Sequence, residues 1–334
     1  MAEREARRVS MVEGVDVPPE HLRLLCKVAR MYHERGLRQP EIAAQLHISQ
    51  PRVSRLLKKA VETGIVRTTV VTPRGIHAEL EDLVEQRYDL RDVIVADTGE
   101  QADERVLLPA LGAAAAEYLE TTLTGADRIG ISSWSSTLLT GVEMMRSRPA
   151  KMADSVVQVL GGLGAQNAQA HATRLTVRLA QVTGAEAVYL PAPGLVGSST
   201  TRDALVADGH VASVMATYPE LTVLLAGVGS LEPSELLRES GNAVAESEQE
   251  ELRAQGAVGD ICLRFFDEAG AHVPSGLDDR VIGIDATTLR TIPRRVAVAG
   301  GERKFTAIRA ALRGDWANVL ITDLSTAQRL ADAA

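Results

Sequence analysis

The sequence predicts an α/β protein of two domains: a small helical N-terminal domain and a larger domain built on a mixed or parallel β-sheet. Its 334 residues exceed the length of one ordinary domain. The first 75 residues show helical periodicity and a basic charge balance. From Arg91 onward, short β-branched runs alternate with helical stretches, the pattern typical of a sheet covered by helices.

Composition narrows the class of protein. Hydrophobic residues make up 45% of the chain and charged residues 24%, as in globular proteins. The sequence contains no apolar run near the roughly 20 residues that a membrane helix needs, and its N-terminus lacks a signal-peptide core. We therefore expect a cytoplasmic protein without membrane contacts, cofactor or metal. Cys26 and Cys262 are expected to be buried, reduced thiols.

The net charge of −8 is unevenly distributed. Residues 1–75 contain 14 Lys and Arg against 8 Asp and Glu, while the remainder contains 22 against 36. A basic segment joined to an acidic body suits a protein that binds a polyanion with one end.

The basic segment contains the run QPEIAAQLHISQPRVSRLLKKAVETG, residues 39–64. A helix with apolar residues at helical spacing precedes it, a short helix spans residues 39–46, and a third helix begins at Ser49, which is expected to cap it. His47 lies in the turn, at a position that often requires positive φ. This pattern predicts a helix-turn-helix, whose second helix enters the major groove of DNA.

A helical wheel of the third helix separates a core stripe from a basic face. Val53, Leu56, Leu57 and Ala60 form the stripe. The alternative is an amphipathic helix whose basic face is merely solvated. We expect Gln50, Arg52 and Arg55 to contact bases in double-stranded operator DNA. The full predicted set adds phosphate contacts and the N-terminal serine: Ser49, Gln50, Arg52, Ser54, Arg55, Lys58 and Lys59.

Residues 64–71 resemble a short strand or wing, and residues 76–88 an acidic amphipathic helix that serves as a linker or a dimer contact. The predicted organisation is a flexible tail over residues 1–19, a helix-turn-helix domain over 20–75, a linker helix over 76–90 and a ligand-binding domain over 91–334.

Nine apolar runs in the body predict strands, most of them apolar on both faces as in buried parallel sheets. They are Asp92–Ala96, Arg128–Ser132, Val156–Leu160, Ala187–Leu190, Leu221–Ala226, Asp260–Phe265, Val281–Ile284, Arg295–Ala299 and Asn318–Thr322. Ligands of such sheets bind at the carboxyl ends of the strands.

Several strand ends carry candidate ligand-binding groups. Hydroxyls and free N–H groups at a helix start favour a phosphate or similar anion, although a serine-rich turn is the plainer alternative. These residues are Ser133, Trp134, Ser135, Ser136 and Thr137. Lys304 follows Gly300-Gly301 at a helix start, where a cation is unfavourable to the helix dipole; it is a second candidate or an exposed lysine.

Two further candidates are less specific. Asp260 either binds sugar hydroxyls or closes a turn. The glycine-rich end that follows Leu160 lets the backbone approach a ligand closely, or is a plain loop. Its candidate residues are Gly161, Gly162, Gln166 and Asn167.

Taken together, the helix-turn-helix and the body motifs resemble the sorbitol-operon regulator (SorC) family over about residues 20 to 330. The motifs are GISSWSSTL, QVLGG, YLPAP, AGVG, GDICLRFFD and the long C-terminal block from VIGIDATTL to VLITD. The resemblance implies a bacterial transcription factor that controls sugar or polyol catabolism, acts as a dimer or tetramer, and carries an effector domain similar to pentose-phosphate isomerases and amino-sugar-phosphate deaminases.

The resemblance also implies roles for individual residues. Ser133 to Thr137 take the role of the phosphate loop, Lys304 pairs with the anion or hydroxyls of the ligand, and Asp260 binds sugar hydroxyls. This loop has Ser135 where the family often has glycine after the tryptophan. The effector is therefore a sugar phosphate or an unphosphorylated sugar or polyol.

Two other functions remain as alternatives. The body is an isomerase or deaminase, for which Asp260, His171 and Asp285 are the acid–base candidates. Alternatively, the chain is a DNA-binding scaffold that responds to no ligand. The sequence favours the regulator, because no stretch places an acid–base pair beside the serine-rich loop.

Overall fold

The computed structural model describes residues 19–66, 75–98, 103–232, 238 and 244–333. The chain divides into two compact units, Met1–Val71 and Thr72–Ala334. Where it is described, the first unit is wholly helical, and the second carries all the described strands. No helix in the described part of the chain is long and apolar enough to cross a membrane.

Three helices form the first unit: α1 Pro19–His33, α2 Gln39–Leu46 and α3 Gln50–Glu62. Their inward faces enclose a core of Val28, Met31, Ile42, Val53 and Leu57. Burying one such side chain contributes about 1.5–3 kcal/mol. The core stripe predicted for α3 is confirmed. Cys26, predicted to be buried, is only half-buried on α1.

The turn between α2 and α3 has the predicted backbone but not the predicted cap. His47 is left-handed, with φ 52° and ψ 42°. Ser49 stands at the N-cap with extended backbone, and its carbonyl accepts the N–H groups of Arg52 and Val53. Its side chain makes no capping hydrogen bond. Pro51, at the second helical position, offers no N–H, and the N–H of Arg52 at the third goes to the Ser49 carbonyl. The predicted side-chain cap was therefore wrong, and Ser49 remains an exposed polar residue.

Two predictions about this unit fall largely outside the described residues. The predicted wing lies mostly within residues 67–74, and the predicted tail covers residues 1–19, of which α1 includes only Pro19.

The second unit is built on a seven-stranded parallel sheet in the order β1-β10-β9-β5-β2-β3-β4. Its strands are β1 Asp92–Ala96, β2 Arg128–Ile131, β3 Ser155–Gln158, β4 Glu186–Val188, β5 Val223–Ala226, β9 Arg294–Val298 and β10 Val319–Asp323. A three-stranded antiparallel sheet adds β6 Gly229–Ser230, β7 Ala257–Ile261 and β8 Arg264–Asp267. The predicted α/β class is confirmed.

The helices of this unit cover both faces of the parallel sheet. They are α4 Ala78–Tyr88, α5 Glu104–Thr122, α6 Ser136–Met144, α7 Gln166–Thr183, α8 Ser199–Val206, α9 Gly209–Met215, α10 Glu246–Ala254, α11 Ala286–Thr291, α12 Phe305–Arg313 and α13 Leu324–Asp332, with 3₁₀ helices at Tyr218–Glu220 and Glu302–Lys304. In β5, Val223 and Leu225 join the core beneath α5, α6 and α7, while Leu224 and Ala226 join the opposite core. This alternation explains why the strands are apolar throughout.

Two of the nine predicted strands were wrong. The run Asp260–Phe265 is the tip of the β7–β8 hairpin, with Cys262 and Leu263 in its two-residue turn. Val281–Ile284 forms only isolated bridges, from Val281 to Leu195 and from Gly283 to Leu160. Both runs are apolar because they are buried, and apolarity alone does not distinguish a strand from a buried turn.

Helix α4, predicted as a linker or dimer contact, lies along β1, the edge strand of the sheet. Glu85 and Glu81 accept the N–H groups of Val93 and Val95, each at 2.9 Å. These carboxylates occupy the donors that a further strand would otherwise use, which protects the edge.

Candidate functional sites

The basic face of α3 is exposed. Gln50, Arg52, Ser54, Arg55, Lys58 and Lys59 are all solvent-exposed, as is Ser49. The Arg55 guanidinium donates to the Pro51 carbonyl at 3.4 Å, and Lys59 lies 3.9 Å from a Glu62 carboxylate oxygen. Such exposed pairs are weak and readily exchanged for a stronger partner. The predicted residues therefore share one accessible surface, and this surface includes the N-terminal end of α3.

A pocket with a cavity volume of about 120 Å³ lies at the carboxyl end of the parallel sheet. The loops that follow β2, β5 and β9, three neighbouring strands, converge on it, and the β7–β8 turn closes one side. Its lining residues are Ser132, Trp134, Ser135, Ser136, Thr137, Leu160, Gly227, Val228, Gly229, Ser230, Glu232, Asp260, Cys262, Leu263, Arg303 and Lys304. The fold thus brings together the serine loop, Asp260 and Lys304.

The serine loop contributes the first turn of α6 to the pocket. Ser135 is the N-cap, and its hydroxyl accepts the Leu138 N–H at 3.2 Å. Ser136 and Thr137 follow at the helix start, where N–H groups and the helix dipole favour an anion or a ligand oxygen. Ser133 differs from the prediction: its buried hydroxyl donates to the Leu160 carbonyl at 2.5 Å, so it fixes the loop and does not line the pocket.

Trp134 contributes a rigid wall and an unused donor. A Cβ at Gly194 would lie 2.5 Å from the Trp134 ring, so that glycine makes room for it. The buried indole Nε1 has no hydrogen-bond partner among the described residues. A buried donor without a partner is unfavourable, and an acceptor on a bound ligand would satisfy it.

Asp260 occupies the hairpin side of the pocket and stabilises its turn. Its Oδ2 accepts the Leu263 N–H at 2.9 Å, so the turn-closing role is real and coexists with a place in the pocket lining. Cys262 and Leu263 have φ values of 55° and 60°, a left-handed pair that usually requires glycine or asparagine. Burial raises the pKa of Asp260 to about 6, although the Leu263 N–H and Lys304 act to lower it.

The position of Asp260 depends on a glycine across the antiparallel ladder. Gly229 pairs with Asp260 in the β6–β7 register. A Cβ at Gly229 would lie 1.9 Å from Asp260 Oδ1, far inside contact distance. Only glycine at this position allows the carboxylate its observed place.

Lys304 approaches the pocket from the loop after β9. It ends the 3₁₀ helix and stands at the N-cap of α12, as the sequence predicted. Its charge acts on the Asp260 carboxyl. Arg303, which was not among the predicted residues, adds a second basic side chain to the lining.

Three other predicted effector residues, Gly161, Gly162 and Gln166, do not line this pocket. Gly161 is required for packing, since a Cβ there would lie 2.3 Å from the Pro193 carbonyl oxygen, and Gly162 packs against Ala172. Gln166 lines a separate surface groove on α7. The Asn167 side chain lies outside the described residues. The glycine-rich end of β3 therefore serves the fold, and its glycines alone could not have distinguished the two roles.

The loop after β5 was not among the predicted ligand-binding segments, but it contributes Gly227 to Ser230 and Glu232 to the pocket. The signal was present, because Gly227 and Gly229 directly follow a predicted strand. Position at a strand end, rather than glycine content, was the useful criterion.

The other acid–base candidates lie outside the pocket lining. His171 Nε2 lies 3.4 Å from the Ser135 carbonyl oxygen, and burial lowers its pKa. Asp285 caps α11 through the N–H groups of Thr287 and Thr288. In the part of the chain that the structure describes, no three acidic, histidine or cysteine side chains gather as metal ligands would.

Known proteins match both units. The family described as "Putative sugar-binding domain" matches residues 75–331, and a helix-turn-helix domain family matches residues 21–68. The deoxyribonucleoside regulator of Bacillus subtilis (strain 168) is 33% identical over 313 residues, which cover 93% of this chain and 98% of the relative. The sorbitol operon regulator of Klebsiella pneumoniae is 30% identical over 315 residues, with the same coverage of 93% and 98%.

Solved structures of transcriptional regulators also match this chain. The crystal structure of the full-length sorbitol operon regulator SorC from Klebsiella pneumoniae matches with a TM-score of 0.70 and 28% identity, over 93% of this chain and 99% of that chain. The sugar-binding domain of the transcriptional regulator DeoR from Pseudomonas syringae pv. tomato matches with a TM-score of 0.61 and 38% identity, over 77% of this chain and 100% of that domain.

Proposed function

Because the chain belongs to the sorbitol-operon regulator (SorC) family of helix-turn-helix transcriptional regulators, we propose that a sugar, polyol or sugar phosphate in the strand-end pocket controls its binding to operator DNA. The observation that carries the proposal is the pocket itself. Lys304, Asp260 and the α6 start reach it from segments far apart in sequence. Cation, carboxylate, hydroxyls and N–H groups around one space suit a small ligand rich in oxygen.

The DNA arm of the proposal rests on the exposed face of α3. Gln50, Arg52 and Arg55 stand near the end of the helix that usually reaches base edges. Ser54, Lys58 and Lys59 are exposed beside them and are proposed to contact phosphates, and Ser49 stands at the start of the same helix. Affinity then falls steeply with salt, because each phosphate contact releases counterions. A dimer or tetramer would bind a palindromic site, because the symmetry of the site mirrors that of the protein. As a regulator that binds operator DNA, the protein is proposed to act in the cytoplasm.

We favour binding over catalysis for this pocket. Proton transfer to a substrate needs a positioned acid–base group, usually with a second group that orients it. Asp260 spends one oxygen on the Leu263 N–H, and His171 and Asp285 lie outside the lining. Turnover of pentose or hexose phosphates by the purified protein, abolished by Asp260→Asn, would establish the enzyme instead.

The decisive experiment is a thermal-shift panel of sugars, polyols and their phosphate esters on the full chain. A ligand of the pocket should raise the melting temperature of the wild type but not of Lys304→Ala. The same ligand should change the affinity for a DNA fragment that the wild type selects from a random library. If no member of the panel alters melting temperature or DNA affinity while DNA still binds, the chain is a ligand-independent scaffold.

A further inference from the structure

Asp323 lies at a junction of three elements. It is the last residue of β10 and the N-cap of α13, and it pairs with Ala96 at the end of β1. Its side chain is almost fully buried. The carboxylate accepts the Thr326 N–H at 3.0 Å and the Thr326 hydroxyl at 2.6 Å, which makes a helix cap.

The same carboxylate also holds the loop that carries Lys304. The Gly301 N–H donates to Asp323 Oδ1 at 2.8 Å and to Thr326 Oγ1 at 3.2 Å. A Cβ at Gly300 would lie 2.3 Å from Asp323 Oδ1, and Gly301 has φ 89°. The Lys304 N–H in turn donates to the Gly301 carbonyl at 3.1 Å. Two glycines thus let the loop approach Asp323 closely, and the resulting hydrogen bonds fix the position of the Lys304 backbone.

Helix α13 carries the connection on to α4. Val84 of α4 belongs to the same core as Ala327 and Leu330 of α13. The Tyr88 hydroxyl donates to the Leu330 carbonyl at 3.5 Å, and Arg87 donates to the carbonyl of Ala333. In sequence, α4 is the first described helix after the DNA-binding unit.

We infer that Asp323 and Thr326 are positioning residues that couple the Lys304 loop to α4 through α13. The inference rests on the proposed function for its biological meaning, since it names how that pocket communicates. A ligand that contacts Lys304 acts on a loop whose backbone is hydrogen-bonded to the N-cap of α13. A ligand that binds one position of this loop more tightly than another therefore also favours one packing of α4 against α13 over another.

The chain contains a matched control for the cap itself. Asp285 caps α11 by the same bonds, with the Thr287 and Thr288 N–H groups at 2.9 Å and the Thr288 hydroxyl at 2.6 Å. No bond from a pocket loop to Asp285 is present among the described residues. Asp285→Ala therefore measures the loss of a cap without the loss of the connection, although Asp285 is more exposed than Asp323.

The test is amide hydrogen exchange of the ligand-free full chain, read by mass spectrometry. Asp323→Ala, which removes both acceptor oxygens, and Thr326→Val should each speed exchange in both residues 300–304 and α4 by about fivefold or more, which is the size of a lost cap. Thr326→Ser, which keeps the hydroxyl, should stay near wild type. Asp285→Ala should speed exchange only around α11.

The reverse direction guards against a purely local effect. Val84→Ala, which loosens α4 from its core, should speed exchange in residues 300–304 by a similar factor. Val182→Ala, at an equally buried valine of α7, should not. The inference is overturned if Asp323→Ala and Thr326→Val affect only the first turn of α13, or if Val84→Ala leaves the loop unchanged. Since no ligand or DNA is used, this failure is distinguishable from failure of the proposed function.

Discussion

The two candidate sites of this protein are built in opposite ways. The proposed DNA-binding surface comes from eleven consecutive residues, Ser49 to Lys59, whose polar side chains project into solvent. The pocket collects side chains from Ser132 to Lys304, and they constrain one another: Gly229 makes room for Asp260, and Asp260 holds the Leu263 turn. Substitutions on α3 should therefore leave stability nearly unchanged, whereas substitutions in the pocket should alter stability and binding together.

The largest effect on stability is expected from Asp260→Asn. The pKa of Asp260 is raised from 3.8 to about 6, so between these values the folded protein binds a proton that the unfolded chain does not. Wild-type stability should consequently fall as pH rises through this window, by roughly 3 kcal/mol at most. Asp260→Asn should lack this loss and be the more stable protein at neutral pH. Urea unfolding at several pH values measures the difference.

Asp285 supplies the control of opposite sign. Burial acts to raise its pKa, but hydrogen bonds from Thr288 and Thr287 outweigh burial and lower it. Its contribution to stability is present at neutral pH and is lost as pH falls, so Asp285→Asn should be less stable than wild type at neutral pH. If Asp260→Asn were also less stable than wild type at neutral pH, the charged form of Asp260 would be stabilising and burial would not dominate its pKa.

Gly229→Ala should be next in size. The added Cβ would meet Asp260 Oδ1, and because that oxygen is on a short side chain fixed by the Leu263 N–H, the hairpin must shift. Overpacking of this kind costs about 1–3 kcal/mol. We expect a lower melting temperature together with loss of the ligand-induced shift. Gly197→Ala, at a glycine with open space around its Cβ position, is the control and should retain both.

The same contrast explains what the sequence could predict. The α2–α3 pattern is local, so periodicity located the helices and even the left-handed His47. Asp260, Lys304 and the serine loop were found one at a time from their strand ends, but nothing in the sequence showed that β9, β5 and β2 are neighbours. Ser133 and Gly161 do not line the pocket, and the sequence could not show this because their contacts depend on distant partners, Leu160 and Pro193. The Cys262–Leu263 turn was missed because neither residue favours positive φ.

On the DNA side, Arg52→Ala should cost about 1–3 kcal/mol of binding and relax sequence preference, if Arg52 reads a base. Arg52→Lys separates the roles, because lysine keeps the charge but cannot make the bidentate contact of arginine. Both variants should melt like wild type, since Arg52 is exposed. Selection from a random DNA library followed by titration measures affinity and preference. Full recovery of preference in Arg52→Lys would place Arg52 on phosphate.

The smallest effect is expected from Lys59→Ala, and it tests how independent the α3 side chains are. A phosphate contact carries no sequence information, so affinity should fall by a similar factor for all DNA sequences. The slope of log affinity against log salt concentration should become shallower by about one. Both lysines are exposed, but the Lys59 ammonium lies 3.9 Å from a Glu62 carboxylate oxygen, and no such carboxylate lies beside Lys58 among the described residues. Part of the Lys59 charge is thus offset before DNA arrives, and Lys58→Ala should have the larger effect. Glu62→Gln should then tighten binding in the wild type but not in Lys59→Ala. Equal gains in both backgrounds would mean that Glu62 acts on the DNA directly and not through Lys59.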